Sequence, residues 1–483
     1  MSTELDLAAR VVELTRRLAG PGAEAEVIAV HSAEALTRFA NSAIHQNVAD
    51  ATTTVRLRLH VDGRTVAGST TVSEAAGLQS LVERAVEASR LVPPDPAWTG
   101  LTPPTPLRSS PGFDEATAAA GPHERAARVR DFVRAAGGLE TAGFCRTTYA
   151  SGGFANTAGQ IIAGRTAEAA MDGIARLDGA DGMARRAAPR LTDLDGAALG
   201  TRAAAKARAG ARARELPPGR YEVVLEPTAV ADLLDNLAVF GFNGRAFAQH
   251  QSFAELGAQQ FDEAVTIADE PLGATLPFDL EGTPRDTLVL VDNGRTTAVS
   301  HDRTSAAEVG AASTGHASAV SRSWGPIASN LRLAPAPANG TLASQAGKGS
   351  QAGNGSQARN GSQAGNGAPD GAGPTAASAR ALVRGMRRGL LITDLWYTRV
   401  LDQKSLVITG LTRNGVWLVE DGEVTAAVGN MRFTQSYPQA LGPGAVLGIG
   451  AEAIALPDRW SGVRYTAPAL HLKFWNLTGN ASG

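Results

Sequence analysis

The side chains best suited to acid–base chemistry lie in one stretch, "FDLEGTPRDTLVLVDNGRTTAVSHDRTSAAEVGAASTGHA", residues 278–317. Asp279 and Glu281 precede Gly282, then His301, Asp302 and Arg303 follow a hairpin pattern, and Thr314 and Gly315 come after Ser313. A carboxylate held near an imidazole can move protons at neutral pH, so Asp279 or Glu281 with His301 is one conceivable site. The plainer chemistry for the same residues is strand capping, turn formation and mutual ion pairing, which is the common use of polar clusters at strand ends.

Other chemistries find less support. No two of the 8 histidines are three or four residues apart, so no helix offers a paired imidazole face to a metal. There is no H-E-x-x-H, C-x-x-C, G-x-S-x-G or P-loop pattern. The only cysteine, Cys145, sits in the apolar "GFCRTTYASGG" and is expected to be a small buried hydrophobe; alone it forms no intramolecular disulfide. A formal net charge of −2 provides no global field for nucleic acid or an anionic membrane. No run of about 18 apolar residues is present, which argues against a membrane span, and the N-terminus lacks the apolar core of a secretory signal. The expected location is the cytoplasm.

Elements must position these residues. Leu7, Val11, Leu14 and Leu18 mark one face of a first helix. Val55, Leu57, Leu59 and Val61 alternate with Arg56, Arg58 and His60, the period of a half-buried strand, and Asp62-Gly63 predicts a hairpin. Asn293-Gly294, Asn414-Gly415 and Asp421-Gly422 predict further turns in a strand-rich second half. At mid-chain, "YEVVLEPTAVADLLDNLAVFGFNG" predicts a strand running into an apolar helix. Val230, Leu233, Leu234 and Leu237 would face the core, and Asp232 and Asp235 are expected to face solvent.

The fold class is therefore α+β: an N-terminal α/β-type domain with helices on a sheet, then a large, mainly antiparallel β domain. Residues 1–110 are assigned to the first domain, 111–218 to an Ala/Arg-rich strand–helix region, and 219–483 to the β domain. The last segment carries four copies of a six-residue unit, residues 344–367, inside a Pro/Gly/Ala/Asn-rich stretch at about 334–374. With only alanine to bury, this insertion is expected to be a disordered loop rather than turns of a β-helix.

The 266–317 region, with its "D-x-P", "F-D-x-E-G", "H-D-R" and "S-T-G" steps, resembles the TldD/PmbA family, the modulators of DNA gyrase. "LTRFANSAIHQNV", "RRGLLITDLWY" and "GEVTAAVGNMRFTQSY" resemble other parts of that family, so the likeness covers nearly the whole chain outside the insertion. The resemblance implies one of two classes. TldD-like members carry zinc on an H-E-x-x-x-H helix with a distant cysteine, whereas TldE/PmbA-like members do not. The helix "TAVADLLDNLAVF" falls where that zinc helix is expected and contains no histidine, and "RWSGVRYTAPALHLKF" contains no cysteine.

This chain thus resembles the TldE/PmbA class, for which the resemblance implies no metal or catalytic residue in the chain itself. It also implies zinc in a TldD-like partner, a hetero- or homodimer, and a peptide substrate, with neither nucleic acid nor membrane as a direct partner. Asp279, Glu281, Gly282, His301, Asp302, Arg303, Thr314 and Gly315 become candidates for lining or bracing the substrate chamber or subunit interface. A self-sufficient hydrolase around His301, or a regulatory protein binding DNA gyrase, remain the alternatives.

Overall fold

The alternating pattern at residues 55–61 forms β2 (Ala43–Val61), which buries Val55, Leu57 and Leu59 and exposes Arg56. β2 pairs with β1 (Glu24–Ala40) and, through Asp62-Gly63, with β3 (Arg64–Thr70). Both turn residues have positive φ, 50° and 72°, as a two-residue hairpin matched to strand twist requires. β4 (Glu140–Asn156), β5 (Ile161–Leu177) and β6 (Ala180–Ala188) complete an antiparallel sheet of order β3-β2-β1-β4-β5-β6. The first two sequence segments therefore share one sheet. The computed structural model describes residues 2–108, 112–271, 275–337, 377–457 and 463–481, so the repeats at 344–367 lie outside the described residues.

Helices cover one face of this sheet. Ala25, Val27 and Leu57 pack under the helices Thr3–Ala19 and Ala75–Ser89. Cys145, Ala169 and Met171 pack under Pro122–Ala135 and Gly196–Gly210. Cys145 is buried, as expected, and burial pushes its thiol up to about 12, which keeps it protonated and inert. The opposite face, carrying Glu26, Ile28 and Phe154, meets the C-terminal domain. Ile28, Phe154, Ile162 and Phe278 form a small core between the two.

The C-terminal domain is built on an 11-stranded sheet. Its strands are β7 (Gly219–Leu225), β8 (Ile267–Asp269), β9 (Leu288–Asp292), β10 (Arg295–Thr296), β11 (Asn330–Leu333), β12 (Arg388–Asp402), β13 (Val407–Glu420), β14 (Glu423–Val428), β15 (Met431–Ser436), β16 (Val446–Leu456) and β17 (Arg464–Asn480). Most pairs are antiparallel, but β7–β12 and β11–β17 are parallel. Because β7 bonds to both β12 and β17, strands β7, β12, β13, β15 and β17 close a circuit.

Asn293-Gly294 and Asp421-Gly422 turn hairpins as the sequence predicts. Asn414-Gly415 does not. The pair lies inside β13 with φ of 57° and 127°, where the register against β12 slips between Ile392 and Asp394. An Asn-Gly pair serves a bulge as well as a turn, because both need backbone in the positive-φ region.

The helix Pro227–Asn236 follows β7 and buries Val230, Leu233 and Leu234, with Leu237 just past its end, in the largest core cluster together with Leu470, Leu472 and Trp475 of β17. Among the described residues, no helix is long and apolar enough to cross a membrane.

Candidate functional site

The predicted residues gather where the two domains meet. Glu26 of β1 lies directly across from Arg58 of β2, and their side chains form an ion pair. The other Arg58 arm reaches Glu281 Oε1 at 3.0 Å. Glu281 Oε2 accepts from the Arg303 amide at 2.9 Å and lies 3.3 Å from Arg303 Nε. Arg303 Nη2 returns to Glu26 Oε2 at 2.7 Å, closing a ring of two carboxylates and two guanidinium groups. The four members come from both domains, so the ring is a brace.

Burial pushes the Glu26 carboxyl up, opposed by Arg58 and Arg303, and it stays above its usual value. Burial lowers Arg58, but Glu26 and Glu281 outweigh it and hold the guanidinium above its usual value. Trp98 covers the ring, with the Arg58 guanidinium 5.0 Å and that of Arg303 5.7 Å from its ring centre. The same indole stacks on His60 at 4.7 Å and donates to Glu24 at 2.6 Å. Thr102 donates to the Glu281 carbonyl at 2.7 Å, so the Pro-rich segment around it is tied to the same place.

Asp279 shapes the loop that presents Glu281. Its Oδ1 accepts from the Glu281 and Thr283 amides, both at 2.9 Å, and its Oδ2 from the Ala317 amide at 2.9 Å. Burial first, then the Glu281 charge, push Asp279 up to about 7 against those three amide donors. Gly282, between them, has φ +69°, and a Cβ there would lie 2.2 Å from Phe154 Cε1, so only glycine fits.

A second, directional chain of hydrogen bonds fixes the "S-T-G-H" loop. The His301 amide donates to Thr314 Oγ1 at 2.7 Å, and that hydroxyl meets His316 Nδ1 at 2.8 Å. His316 Nε2 meets Asp269 Oδ2 at 2.9 Å, where Arg285 also donates at 3.2 Å. Burial pushes His316 down, so its neutral form donates from Nε2 and accepts at Nδ1. Burial pushes Asp269 up, yet the His316 hydrogen bond, Arg285 and the Asn330 amide outweigh it and hold the carboxyl well below its usual range. Gly315 turns this loop at φ +78°.

Asp302 caps the helix Arg303–Glu308, its side chain accepting from the Ser305 amide at 2.8 Å while Ser305 reciprocates in a capping box. His301 Nδ1 lies 3.1 Å from Ser305 Oγ, a spacing compatible with a nucleophile–base pair. Ser305 is buried and its hydroxyl serves the cap, so this contact offers no accessible nucleophile. The Glu281 carboxylate is committed to arginines and Asp279 to amides. Neither is placed as a base for His301.

The eight predicted residues therefore lie in one connected region of the C-terminal domain: Glu281 and Arg303 bond across to the N-terminal domain, Gly282 packs against Phe154, and Asp279, His301, Asp302, Thr314 and Gly315 order the loops behind them without presenting an open acid–base site. Sequence reasoning missed Glu26, Arg58, Trp98 and Thr102, which come from distant parts of the chain. Asp269 opens the "D-x-P" step and His316 follows "S-T-G", but neither was singled out as a site residue. An acidic residue inside the otherwise apolar "AEVIAV" was the available signal for Glu26.

The expectation for the mid-chain helix needs correction. Asp232 does not face solvent: it is buried, and accepts from Thr398 Oγ1 at 3.0 Å and Tyr437 OH at 3.1 Å. Asp235, half-buried, accepts from the Tyr465 hydroxyl. The helix is wrapped by sheet on several sides, so its second face is buried as well and needs polar partners. It continues into a π turn, Leu237–Gly241.

These side chains do not fit a zinc site. Asp232 and Asp235 are the helix's only ligand-type groups, and both are occupied by hydroxyl donors. Among the described residues, no three His, Cys, Asp or Glu side chains come together in a way that could hold a metal.

The profile of the PmbA/TldA metallopeptidase C-terminal domain matches residues 218–477, and that of PmbA/TldA metallopeptidase domain 1 matches residues 25–89. TldE of Thermococcus kodakarensis superposes with a TM-score of 0.80 at 17% identity, covering 98% of this chain and 100% of that one. A candidate modulator of DNA gyrase from Thermotoga maritima gives 0.77 at 18% identity, covering 98% and 99%. A second such protein, from Bacteroides thetaiotaomicron, gives 0.76 at 16%, covering 98% of each chain. No curated protein matches this chain.

Proposed function

This chain belongs to the PmbA/TldD metallopeptidase family, and we propose that within it the chain acts as the TldE-type subunit. It would carry no zinc site and would complete a peptidase whose zinc is held by a TldD-like partner. The observation that carries this reading is the helix Pro227–Asn236. It follows β7, where the family resemblance expects the zinc helix, and its two carboxylates are taken up by Tyr437, Thr398 and Tyr465. A zinc peptidase needs a metal to polarise the carbonyl and activate water. This chain's contribution is architectural: the Glu26–Arg58–Glu281–Arg303 ring holds its two domains in one arrangement, so a peptide chamber built against it has a fixed wall. The substrate is an unfolded or leader peptide, and the compartment is the cytoplasm.

The test is peptide cleavage by the purified chain alone, by an H-E-x-x-x-H family member alone, and by the co-expressed pair. The reading expects cleavage by the pair, lost on chelation, and none by this chain alone. Chelator-sensitive cleavage by this chain alone would refute it.

A further inference from the structure

A cleft lies away from the interdomain brace, at the end of the closed strand circuit. It is an open groove of about 770 Å³, a volume suited to a short peptide or a ligand of that size. Its wall carries two cations, Arg220 and Lys473, two phenyl rings, Phe253 and Phe474, and no acidic side chain. The Arg220 guanidinium carbon lies over the Phe474 ring, 4.0 Å from its centre, a cation–π contact that holds the charge at the cleft wall. Both cations are exposed, and among the described residues neither has a carboxylate within ion-pair distance. The nearby Asp262 and Asp402 carboxylates accept from the Gly444 amide and the Ser405 hydroxyl respectively, and neither lies within ion-pair distance of Arg220 or Lys473.

The charge extends beyond the cleft. Arg220 pairs with Asn476, which donates to the Thr434 carbonyl at 3.0 Å; Thr434 pairs with Thr409, and Thr409 with Arg399. One cross-strand row thus runs from Arg220 to Arg399 over all five strands of the circuit. Arg432, two residues from Thr434, shares that face. Arg399 and Arg432 are exposed and likewise lack a carboxylate partner among the described residues. The other end of the same face is covered, with Val224, Leu391 and Trp417 packed against Ala379 and Val383 of the helix Ala377–Val383. In a chain of net charge −2, Arg220 and Lys473 on the cleft wall, continued by Arg399 and Arg432 along the adjoining face, make a local positive field.

We propose that this cleft and the adjoining bare face bind an acidic segment of polypeptide in extended form, carboxylates on Arg220, Lys473, Arg399 and Arg432 and apolar side chains against Phe253 and Phe474. This site does not require zinc or a partner subunit, so it stands or falls separately from the peptidase reading.

The test is fluorescence anisotropy on the purified full chain with a labelled twelve-residue peptide of Glu and Leu, and with the same peptide carrying Gln for Glu. Saturable binding of the acidic peptide, weakened about tenfold or more in Arg220→Glu/Lys473→Glu and by rising salt, is expected. Arg56→Glu, an exposed position on the other domain, should leave binding unchanged. All substituted residues are exposed, and thermal melting checks that each variant folds. Equal binding of the acidic and neutral peptides, or undiminished binding by the folded double variant, would overturn the proposal. Loss in Arg56→Glu equal to that in the double variant would also overturn it, by showing a non-specific charge effect.

Discussion

Arg303 and Glu26 stand 277 residues apart in sequence and 2.7 Å apart in space. Glu26 lies on the first strand of the N-terminal sheet, and Arg303 opens a short helix in the other domain. Through Arg58 and Glu281 the contact becomes a closed, largely buried ring that links the domains.

Breaking that ring strands charge in a poorly solvated place. Glu281→Gln should lower the free energy of unfolding by about 3 kcal/mol, read from the urea midpoint. Arg58→Met and Glu281→Gln combined should cost less than the sum of the two by about 1 kcal/mol or more, because they share partners. Full additivity would mean the ring is not an energetic unit.

Gly282→Ala should cost more than a turn glycine with room around it. Its φ is +69° and the added methyl would meet Phe154, whereas Gly179, at φ +81°, has nothing within 4 Å. About 1 kcal/mol is expected for Gly179→Ala from backbone strain alone, and at least twice that for Gly282→Ala. Equal losses in thermal or urea unfolding would contradict the close packing.

Acid should weaken the fold through the two buried histidines. Burial lowers both His301 and His316, so below pH ~6.5 the unfolded chain binds protons that the folded chain cannot. Their contribution is complete above that pH and declines as pH falls toward their folded values. Asp279, raised to about 7, works the other way: below pH 7 the folded chain takes up its proton first. Asp279→Asn should therefore steepen the loss of stability between pH 7 and 5. An unchanged slope would show that Asp279 is not raised.

Tyr437→Phe tests the buried end of the mid-chain helix. Its hydroxyl donates to Asp232 at 3.1 Å, and removing it takes one donor from a buried carboxylate. A loss of about 1–2 kcal/mol is expected, measured by urea unfolding. No change would mean that Asp232 is satisfied without it.

Much of the architecture was legible because it is local. Val55, Leu57 and Leu59 alternate, Asp62-Gly63 and Asn293-Gly294 turn, and Val230 to Leu237 keep helical spacing. The motif residues from Asp279 to Gly315 were found together because they are close in sequence. Glu26, Arg58 and Trp98 were not, since nothing local says which surface of a strand or loop will meet another domain. Asp232 was misjudged for a related reason: helical periodicity identifies the apolar face, but it does not say that a second layer covers the polar one. Asn414-Gly415 shows that the same φ requirement serves a turn or a bulge, and only the partner strand decides.

The most direct measurement is native mass spectrometry with metal analysis on this chain purified alone and co-expressed with an H-E-x-x-x-H family member. The account predicts that the lone chain carries no stoichiometric zinc and that the pair forms a one-to-one complex holding one zinc. Stoichiometric zinc on the lone chain, or failure of any such member to associate with it, would contradict the account.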